Sequence, residues 1–303
     1  MKLEHIGMVG YGEVGKIFTA GLKSRVISVS AWDLTFDADS APALTREAEL
    51  AHAAQAGVQA CLSMQALCKG ADFVISAVTA SNTLAVAQAA AQHIRPGAIF
   101  LDLNSASPGT KQQAAQVIEA AGAYYVEAGV MTSVPPYGIR VPMLLGGAQA
   151  QALAEKLCGF GMDAKAVATE IGVASAIKMC RSVMIKGLEA LVIESYSTAR
   201  KYGVEGYMIP TLAETFPSID WEKQGAYFFS RVAQHGKRRA EEMREAANTV
   251  REAGFEPWMA AAIAEKHDWV AKQSRDGVFD GLPKDASWQQ FADRLLQKKS
   301  VAP

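Results

Sequence analysis

The segment Ile-Gly-Met-Val-Gly-Tyr-Gly-Glu-Val-Gly occupies positions 6–15 and joins a short apolar run to three closely spaced glycines. The run Ile6–Val9 is predicted to be a buried strand, and residues 16–22 are predicted to continue as a helix. In a G-x-G-x-x-G turn the first glycine makes the bend, the second lets the backbone approach a pyrophosphate, and the third lets helix and strand pack closely. The N–H groups that begin the helix then face the phosphates. The segment therefore predicts a dinucleotide-binding turn made of Gly10, Tyr11, Gly12, Glu13, Val14 and Gly15.

A carboxylate follows the second predicted strand. Residues 26–32 are predicted to be a strand that leads to Asp33, about twenty residues past the glycines, where an acidic side chain accepts hydrogen bonds from an adenosine ribose. Asp33 would repel the 2′-phosphate of NADP, and residues 34–37 contain no arginine to bind that phosphate. NAD is therefore expected as the cofactor, with NADP less favoured.

The alternation of strands and helices continues to about residue 170. Further strands are predicted at residues 72–78, 98–103, 124–127, 141–145 and 164–169, and helices near residues 46–55 and 149–157. This order is typical of a doubly wound α/β sheet. We therefore predict a Rossmann-type NAD-binding domain in residues 1–170 and an all-helical domain for substrate binding or dimerisation in residues 171–303.

Two loops after predicted strands are candidates for the nicotinamide end of the cofactor site. Ligands of doubly wound sheets bind outside the carboxyl ends of the strands, which selects Val78 and Thr79 after one strand and Asn104 after the next. Simple helix capping by Thr79, Ser81 and Asn82 is an equally good interpretation of the first loop.

A long helix is predicted from about Gly172 to Lys201. Apolar or small residues recur along it at Ile177, Cys180, Met184, Leu188, Leu191 and Ser195. Because its other faces are also apolar, the helix is expected to be surrounded by protein. Lys178, Arg181 and Ser182 fall on one face of it, and a buried cation is costly unless it has a partner or a chemical role. Lys178 is therefore either functional or part of a buried ion pair with Glu189 or Glu194.

Composition narrows the class of protein. Half of the 303 residues are apolar and the net charge is −1, which gives no field that would favour nucleic acid or an anionic membrane. The four cysteines form no C-x-x-C pair, no signal peptide precedes the first strand, and no run of eighteen apolar residues occurs. We expect a cytoplasmic protein with a small-molecule partner and no metal.

With these segments in order, the chain resembles the β-hydroxyacid dehydrogenases, the family that includes 6-phosphogluconate and 3-hydroxyisobutyrate dehydrogenases. The resemblance covers the first 200 residues. Residues 102–105, followed by Ser107 and Pro108, match the family's first substrate segment, and residues 172–178 match its G-x-x-x-x-x-K motif. The resemblance implies that Asn104 and Ser105 bind substrate and that Lys178 is the general acid and base for hydride transfer.

Two departures from the family pattern alter the expected substrate. Residues 127–133, Glu-Ala-Gly-Val-Met-Thr-Ser, replace the family's D-A-P-V-S-G-G, and hydroxyl groups of Thr132 and Ser133 are expected to take over its role. Arg181 stands where relatives have Asn or His, and Ser182 replaces the Asn that follows. Since arginine binds a carboxylate or phosphate with two bonds, Arg181 is expected to hold an anionic group of the substrate. A structural pair of Arg181 with Glu189 or Glu194 is the alternative.

The C-terminal half resembles a helical domain of unknown function that is appended to some members of this group. Residues 231–243 carry the likeness. They are predicted to form either a solvated helix with ion pairs between Lys237 and Glu241 and between Arg238 and Glu242, or a helix that brings His235 and Arg239 into the substrate pocket at a dimer interface. A homodimer formed through this domain is expected.

The resemblance and these features together predict an NAD-dependent oxidoreductase that acts on a small 3-hydroxy acid, and sugar-derived, phosphorylated and aromatic acids are all candidates. An imine reductase-like enzyme is one alternative, although such enzymes typically lack the lysine. The other is a redox sensor that binds NAD(H) without turnover.

Overall fold

A computed structural model describes residues 3–299 of the chain, which forms two compact units, Met1–Met179 and Cys180–Pro303. The strands are β1 His5–Val9, β2 Ser28–Trp32, β3 Gln59–Ala60, β4 Phe73–Ser76, β5 Ile99–Asp102, β6 Tyr124–Val130, β7 Met143–Gly146 and β8 Ala164–Ala168. The α-helices are α1 Glu13–Leu22, α2 Ala43–Ala56, α3 Met64–Gly70, α4 Thr83–Ala91, α5 Pro108–Ala120, α6 Ala150–Gly159, α7 Val173–Tyr202, α8 Glu205–Thr215, α9 Trp221–Glu252, α10 Trp258–Arg275 and α11 Trp288–Lys299. The division into an NAD-binding domain of residues 1–170 and a helical domain of residues 171–303 remains a prediction.

The N-terminal unit is built on one sheet of eight strands in the order β3-β2-β1-β4-β5-β6-β7-β8. Neighbours pair in parallel except β6 and β7, which pair antiparallel. The reversal of strand order on either side of β1 is the feature that opens a crevice in doubly wound sheets. The predicted fold class, a Rossmann-type domain followed by a long helix and an all-α region, is confirmed. The two-residue strand β3 was not predicted, because it is too short to show a periodic pattern.

The sheet is apolar on both faces, as expected for strands covered by helices on either side. Along β4 and β5, side chains alternate between two buried clusters, with Phe73 and Leu101 in one and Val74 and Phe100 in the other. Each such side chain contributes about 1.5–3 kcal/mol when it leaves water. In these two strands the polar residues Ser76 and Asp102 stand at the carboxyl ends.

Local signals set the start of the helix that follows β5. The Oγ atom of Ser107 accepts a hydrogen bond from the backbone N–H of Thr110 at 3.3 Å, and Pro108 occupies the first helical position of α5. Proline there gives up an N–H that the helix would leave unpaired. Ser107 therefore caps α5, and this cap fixes the end of the loop that begins after Asp102.

Aromatic side chains form the core of the C-terminal unit. Tyr196 of α7 and Trp288 of α11 are fully buried, with ring centroids 4.8 Å apart, and Phe229 of α9 stacks on Phe291 at 6.0 Å. Helix α9 is kinked at His235, whose φ of −130° is not helical. This core makes the C-terminal half a packed helical body in its own right.

The expectation that protein surrounds the long helix on all sides is wrong for the described chain. Helix α7 buries Ile193 and Tyr196, yet Met184 is 67% exposed and Leu191 is 54% exposed. The sequence predicted burial because apolar residues occur on every face, whereas helices of this chain cover only some of those faces. A separate result is that no helix within residues 3–299 has the length and apolar character needed to cross a membrane.

Candidate active site at the carboxyl edge of the sheet

The glycine turn after β1 has the conformation that the motif requires. Gly10 has a φ of +93°, and a Cβ atom there would lie 2.4 Å from the carbonyl oxygen of Ala77. A Cβ atom on Gly15 would lie 2.0 Å from the carbonyl oxygen of Gly10, so helix and strand pack too closely for any side chain. Gly12 faces open space, and α1 begins at the next residue. The turn therefore leaves exposed backbone at a helix N-terminus, where a phosphate group would fit.

Asp33 is held beside this turn by three hydrogen bonds. One carboxylate oxygen accepts the backbone N–H of Tyr11 at 2.7 Å, and the other accepts the N–H and the hydroxyl of Thr35, each at 2.8 Å. A carboxylate has about four acceptor positions, so capacity remains for the hydroxyls of a ribose. The residues fit the adenosine end of a dinucleotide.

Tyr11, Glu13 and Val14 contribute to the turn in different ways. Tyr11 is buried against Phe36, and burial raises the pKa of its phenol, whose oxygen lies 3.2 Å from His52 Nδ1. Glu13 is exposed and Val14 half-buried in the first turn of α1. Tyr11 therefore presents only its backbone to the site.

Asn104 connects the ends of β4 and β5. Its side-chain oxygen accepts the backbone N–H of Val78 at 2.7 Å, and its amide nitrogen donates to the Oγ atom of Ser76 at 3.0 Å. The side chain is buried, and these two hydrogen bonds explain why a polar amide is tolerated there. Asn104 thus fixes the two loops relative to each other.

In the loop after β4, Thr79 and Asn82 occupy helix N-cap positions, as the capping interpretation predicted, but they do not cap through their side chains. Instead the Asn82 amide donates to the Thr79 hydroxyl at 2.9 Å, and Ser81 lies 3.4 Å from the same hydroxyl. The polar side chains of this loop are therefore bonded to one another at the carboxyl end of β4.

A buried ion pair lies under the loop after β5. The Lys111 Nζ atom is 2.9 Å from the Asp102 carboxylate, and each side chain is 1% exposed. The Tyr125 hydroxyl donates to the other carboxylate oxygen at 2.6 Å, and the backbone N–H of Asn104 donates to the first at 2.8 Å. Burial and the charge of Asp102 raise the pKa of Tyr125 well above its usual value. Sequence reasoning missed Lys111, although its place on the buried stripe of α5 with Ala114, Ala115 and Ile118 is a detectable signal.

Lys178 lies at the same edge of the sheet. Its Nζ atom donates to the Oγ atom of Ser105 at 2.6 Å, and the side chain is half-buried. The alternative of an ion pair between Lys178 and Glu189 or Glu194 is wrong, because Glu189 pairs with Arg239 and Glu194 pairs with Lys266 at 2.5 Å. Two predicted site residues, 73 positions apart in the chain, are therefore brought together.

Glu127 is buried and binds the first turn of α7. One carboxylate oxygen accepts the N–H groups of Gly172 at 2.7 Å and Ala174 at 3.0 Å, and the other accepts that of Ser175 at 3.3 Å. A negative charge at a helix N-terminus is favourable because the unpaired N–H groups point toward it. Sequence reasoning treated Glu127 only as a departure from the family pattern; the signal it overlooked was a charged residue inside a buried strand.

Lys178, Arg181 and Ser182 do not form one buried face, because Arg181 is exposed, and this corrects the expectation from their spacing. Arg181 is exposed, and within residues 3–299 its guanidinium has no ion-pair partner, so the predicted pair with Glu189 or Glu194 is also wrong. Ser182 is buried and accepts a bond from Lys186 Nζ at 3.1 Å. Helical spacing determines the azimuth of a side chain but not which azimuths neighbours cover.

The hydroxyl residues and the C-terminal candidates have distinct surroundings. Thr132 is exposed and Ser133 half-buried, in the loop that follows β6. His235 is half-buried at the kink of α9. Arg239 is buried and binds the Glu189 carboxylate with two nitrogens. It therefore lies neither on a solvated helix face nor in an open pocket. Of the predicted surface pairs, Arg238 lies 3.9 Å from Glu242.

The Glu189–Arg239 pair belongs to a larger buried charged cluster in the C-terminal unit. Lys186 Nζ lies 2.9 Å from Glu242, and His267 Nε2 lies 3.7 Å from Glu189, too far for a hydrogen bond. Burial and the charges of Arg239 and Lys186 lower the pKa of His267 to about 3. The ring is therefore neutral at physiological pH, between two balanced ion pairs.

Comparison with known proteins finds a different family domain in each half of the chain. Residues 5–155 match the NAD binding domain of 6-phosphogluconate dehydrogenase, and residues 199–270 match a domain of unknown function, DUF1932. A conserved hypothetical protein from Sinorhizobium meliloti 1021 is 37% identical, with a TM-score of 0.76 over 98% of this chain and 97% of that one.

Two further solved structures are similar over most of the chain. A conserved protein of unknown function, described as structurally similar to 3-hydroxyacid dehydrogenases, is 29% identical over 89% of this chain and 98% of its own, with a TM-score of 0.66. The 3-hydroxyisobutyrate dehydrogenase of Mycobacterium tuberculosis, solved with L-serine, shares the fold at 16% identity and a TM-score of 0.68, over 97% and 99% of the two chains. The chain belongs to the family of proteins that join a 6-phosphogluconate dehydrogenase-type NAD-binding domain to a C-terminal DUF1932 domain.

Proposed function

We propose that the protein is an NAD-dependent oxidoreductase that transfers a hydride between the nicotinamide and a small 3-hydroxy acid, with Lys178 as the general acid and base. The observation that carries this proposal is the 2.6 Å hydrogen bond from Lys178 Nζ to Ser105 Oγ. It joins an amine to a hydroxyl at the edge of the sheet where ligands of doubly wound folds bind. A binding protein without chemistry needs no such proton donor.

The glycine turn, Asp33 and the loop at Val78 and Thr79 are the residues that would hold the cofactor. A bound nicotinamide supplies the carbon that accepts or releases the hydride. Asp33 supports NAD as the cofactor. Its carboxylate can accept hydrogen bonds from ribose hydroxyls in addition to those from Tyr11 and Thr35, and its charge would repel a 2′-phosphate. NADP is the less favoured alternative.

Lys178 and Ser105 have different roles at the substrate oxygen: Lys178 transfers the proton and Ser105 donates a hydrogen bond. In the oxidation direction the neutral Lys178 amine takes the proton of the substrate hydroxyl, while the carbon that bears this hydroxyl gives its hydride to the nicotinamide. Ser105 accepts a bond from Lys178, so its own hydrogen remains to be donated to a substrate oxygen. In the reduction direction the Lys178 ammonium returns the proton to the new alkoxide. Asn104 acts behind them by holding the loop.

Arg181 is proposed to bind the anionic group of the acid. It follows Lys178 by one turn on α7, its guanidinium is exposed, and a planar fork fits a carboxylate or phosphate. Hydroxyls of Thr132 and Ser133 are proposed as further ligands. His235 remains a candidate, whereas Arg239 leaves the proposed substrate site because Glu189 occupies its guanidinium.

A homodimer through the C-terminal helices remains part of the proposal. The exposed apolar side chains of Met184 and Leu191 on α7 support it, because large apolar surfaces are unfavourable in water. Sedimentation equilibrium of the wild type and of a Met184→Glu, Leu191→Glu double variant tests it. A wild type that sediments as a monomer would refute the dimer.

The decisive experiment is a screen of 3-hydroxy acids, including sugar-derived, phosphorylated and aromatic ones, for NADH formation. Lys178→Ala is the matched variant in every assay. Oxidation that requires Lys178 supports the proposal. Reduction of cyclic imines without oxidation of any acid would favour the imine reductase alternative, and tight NADH binding without turnover of either class would favour the redox sensor.

A further inference from the structure

Three alternate residues of β6 make contacts that converge on one hydrogen bond. Tyr125, Glu127 and Gly129 lie two positions apart, so they line the same face of the sheet. Their contacts reach the loop that carries Ser105 and the helix that carries Lys178. The strand itself contains neither of those residues.

Tyr125 acts on the loop side. Its buried hydroxyl donates to the Asp102 carboxylate at 2.6 Å, and that carboxylate accepts the backbone N–H of Asn104 at 2.8 Å. Asp102 is also neutralised by Lys111 at 2.9 Å. The backbone immediately before Ser105 is thereby attached to β6 through a single fully buried carboxylate.

Glu127 acts on the helix side. Its carboxylate accepts three N–H groups at the start of α7, from Gly172, Ala174 and Ser175, at 2.7, 3.0 and 3.3 Å. These bonds fix the position and rotation of the first helical turn. Lys178 follows Ser175 by three residues, so the rotation of that turn sets the direction in which the lysine side chain leaves the helix.

Gly129 sets how closely helix and strand approach. A Cβ atom at this position would lie 2.9 Å from the carbonyl oxygen of Ala174 and 3.5 Å from the Cβ atom of Lys178. A methyl group would therefore push the helix away from β6. The glycine is required at the point where α7 passes the strand beside the lysine.

We propose that β6 is the element that positions the proposed catalytic pair, with Glu127 holding the helix of Lys178 and Tyr125 holding the loop of Ser105. Glu127 and Tyr125 are positioning residues, since neither touches Lys178 Nζ or Ser105 Oγ. This inference rests on the proposed function for its meaning, but its geometry can be tested without any substrate. Tyr125 and Glu127 are two positions apart on one strand, so the distance between them is fixed. The loop of Ser105 and the helix of Lys178, which they hold, are therefore kept at a constant separation.

The test compares the chemical reactivity of Lys178 in the full-length wild type and in Glu127→Gln. The two proteins are labelled briefly with acetic anhydride, and the modification of Lys178 is measured by peptide mass spectrometry relative to the exposed Lys165. We expect the relative labelling of Lys178 to rise by about threefold or more in Glu127→Gln, because loss of the charged cap loosens the turn that holds the lysine. The Kd for NADH, measured by fluorescence, should stay within about twofold, since the glycine turn is untouched.

Leu157→Ala serves as the control for general destabilisation. Leu157 is fully buried in α6, away from β6 and α7 in the sequence, and its truncation lowers stability by removing core volume. Its relative Lys178 labelling should match that of the wild type. Equal labelling of Lys178 in Glu127→Gln, Leu157→Ala and the wild type would overturn the proposal.

Gly129→Ala perturbs the same relationship with Glu127 intact, and it keeps the proposal testable if Glu127→Gln does not fold. We expect raised Lys178 labelling in this variant as well, and unchanged labelling would contradict the inference. Once an acid is found, Glu127→Gln alone should lower kcat about tenfold relative to the wild type. Added to Lys178→Ala, the same substitution should leave the residual turnover of that variant unchanged. Additive effects would mean that Glu127 is only structural. A failed acid screen would refute the proposed function without affecting the labelling result.

Discussion

The Nζ atom of Lys178 lies 2.6 Å from the Oγ atom of Ser105, and 73 positions of sequence separate the two residues. An ammonium group has donors only, so the serine oxygen must accept in this bond whenever the lysine is charged. In this bond the serine keeps its own hydrogen, which it can donate to a ligand. The proposed function uses this amine and hydroxyl together as the two groups that contact a substrate oxygen.

Lys178→Ala should lower turnover of the acid by ~10²- to 10⁴-fold while the Kd for NAD stays nearly unchanged, because proton transfer is lost and the cofactor contacts are not. Lys178→Arg should also fail, since arginine cannot give up its proton near neutral pH. Steady-state kinetics and calorimetric binding of NAD measure both effects. Near-normal turnover in Lys178→Arg would limit the lysine to an electrostatic role.

Asp33→Ser should narrow the preference for NAD over NADP. The substitution removes a negative charge that would repel a 2′-phosphate, an effect of a few kcal/mol at most. Dissociation constants for both cofactors should be measured for the two proteins. The prediction is wrong if the wild type already binds NADP as tightly as NAD.

Lys111→Met should reduce the free energy of unfolding by about 3–5 kcal/mol, because it leaves the Asp102 carboxylate buried without its counter-charge. The double variant with Asp102→Asn should recover part of that loss, since the uncompensated charge disappears. Urea denaturation of the three proteins measures the effect, with the exposed Lys165→Met as the control. Equal stabilities of Lys111→Met and Lys165→Met would show that the pair contributes little.

His267 should make the protein less stable as the pH falls. Its pKa is about 3 in the folded chain against 6.5 for the free side chain, so between these values the unfolded state binds a proton that the folded state does not. The free energy of unfolding should therefore decrease as pH falls from 6.5 toward 3, by at most about 1.4 kcal/mol for each pH unit.

His267→Leu should flatten this pH dependence, because leucine has no proton to gain beside Lys186, Arg239, Glu189 and Glu242. Denaturation curves at several pH values test the change, with a His52→Gln variant of an exposed histidine as the control. An unaltered slope in His267→Leu would assign the acid sensitivity to other groups.

Arg181→Lys should raise the KM for the acid with no loss of thermal stability, because the side chain is exposed and the variant loses only the bidentate fork. Kinetics and a melting curve distinguish this from a structural role, which would lower the Tm. Unchanged kinetics would remove Arg181 from the proposed site.

Much of the N-terminal fold follows from the sequence because its signals are local. Glycines at positions 10, 12 and 15 sit between a predicted strand and helix, and the structure has β1, the turn and α1 there. The N-cap Ser107 and the first helical residue Pro108 likewise act within one helical turn. The antiparallel direction of β7 was beyond such reasoning, since it depends on whether the long loop after β6 returns at the same edge of the sheet or crosses to the opposite edge.

At the candidate site, the sequence by itself selected the residues proposed to carry the chemistry: Lys178, Ser105 and Asp33 belong to motifs whose residues are close along the chain. Only the tertiary structure decided how they are held. Lys111 neutralises Asp102, Glu127 binds the start of α7, and Arg239 is taken by Glu189 rather than left for substrate. Each of these contacts joins groups that are distant in sequence. Burial makes such pairings necessary, because a charge removed from water must find a partner, but only the packed fold selects which partner is within reach.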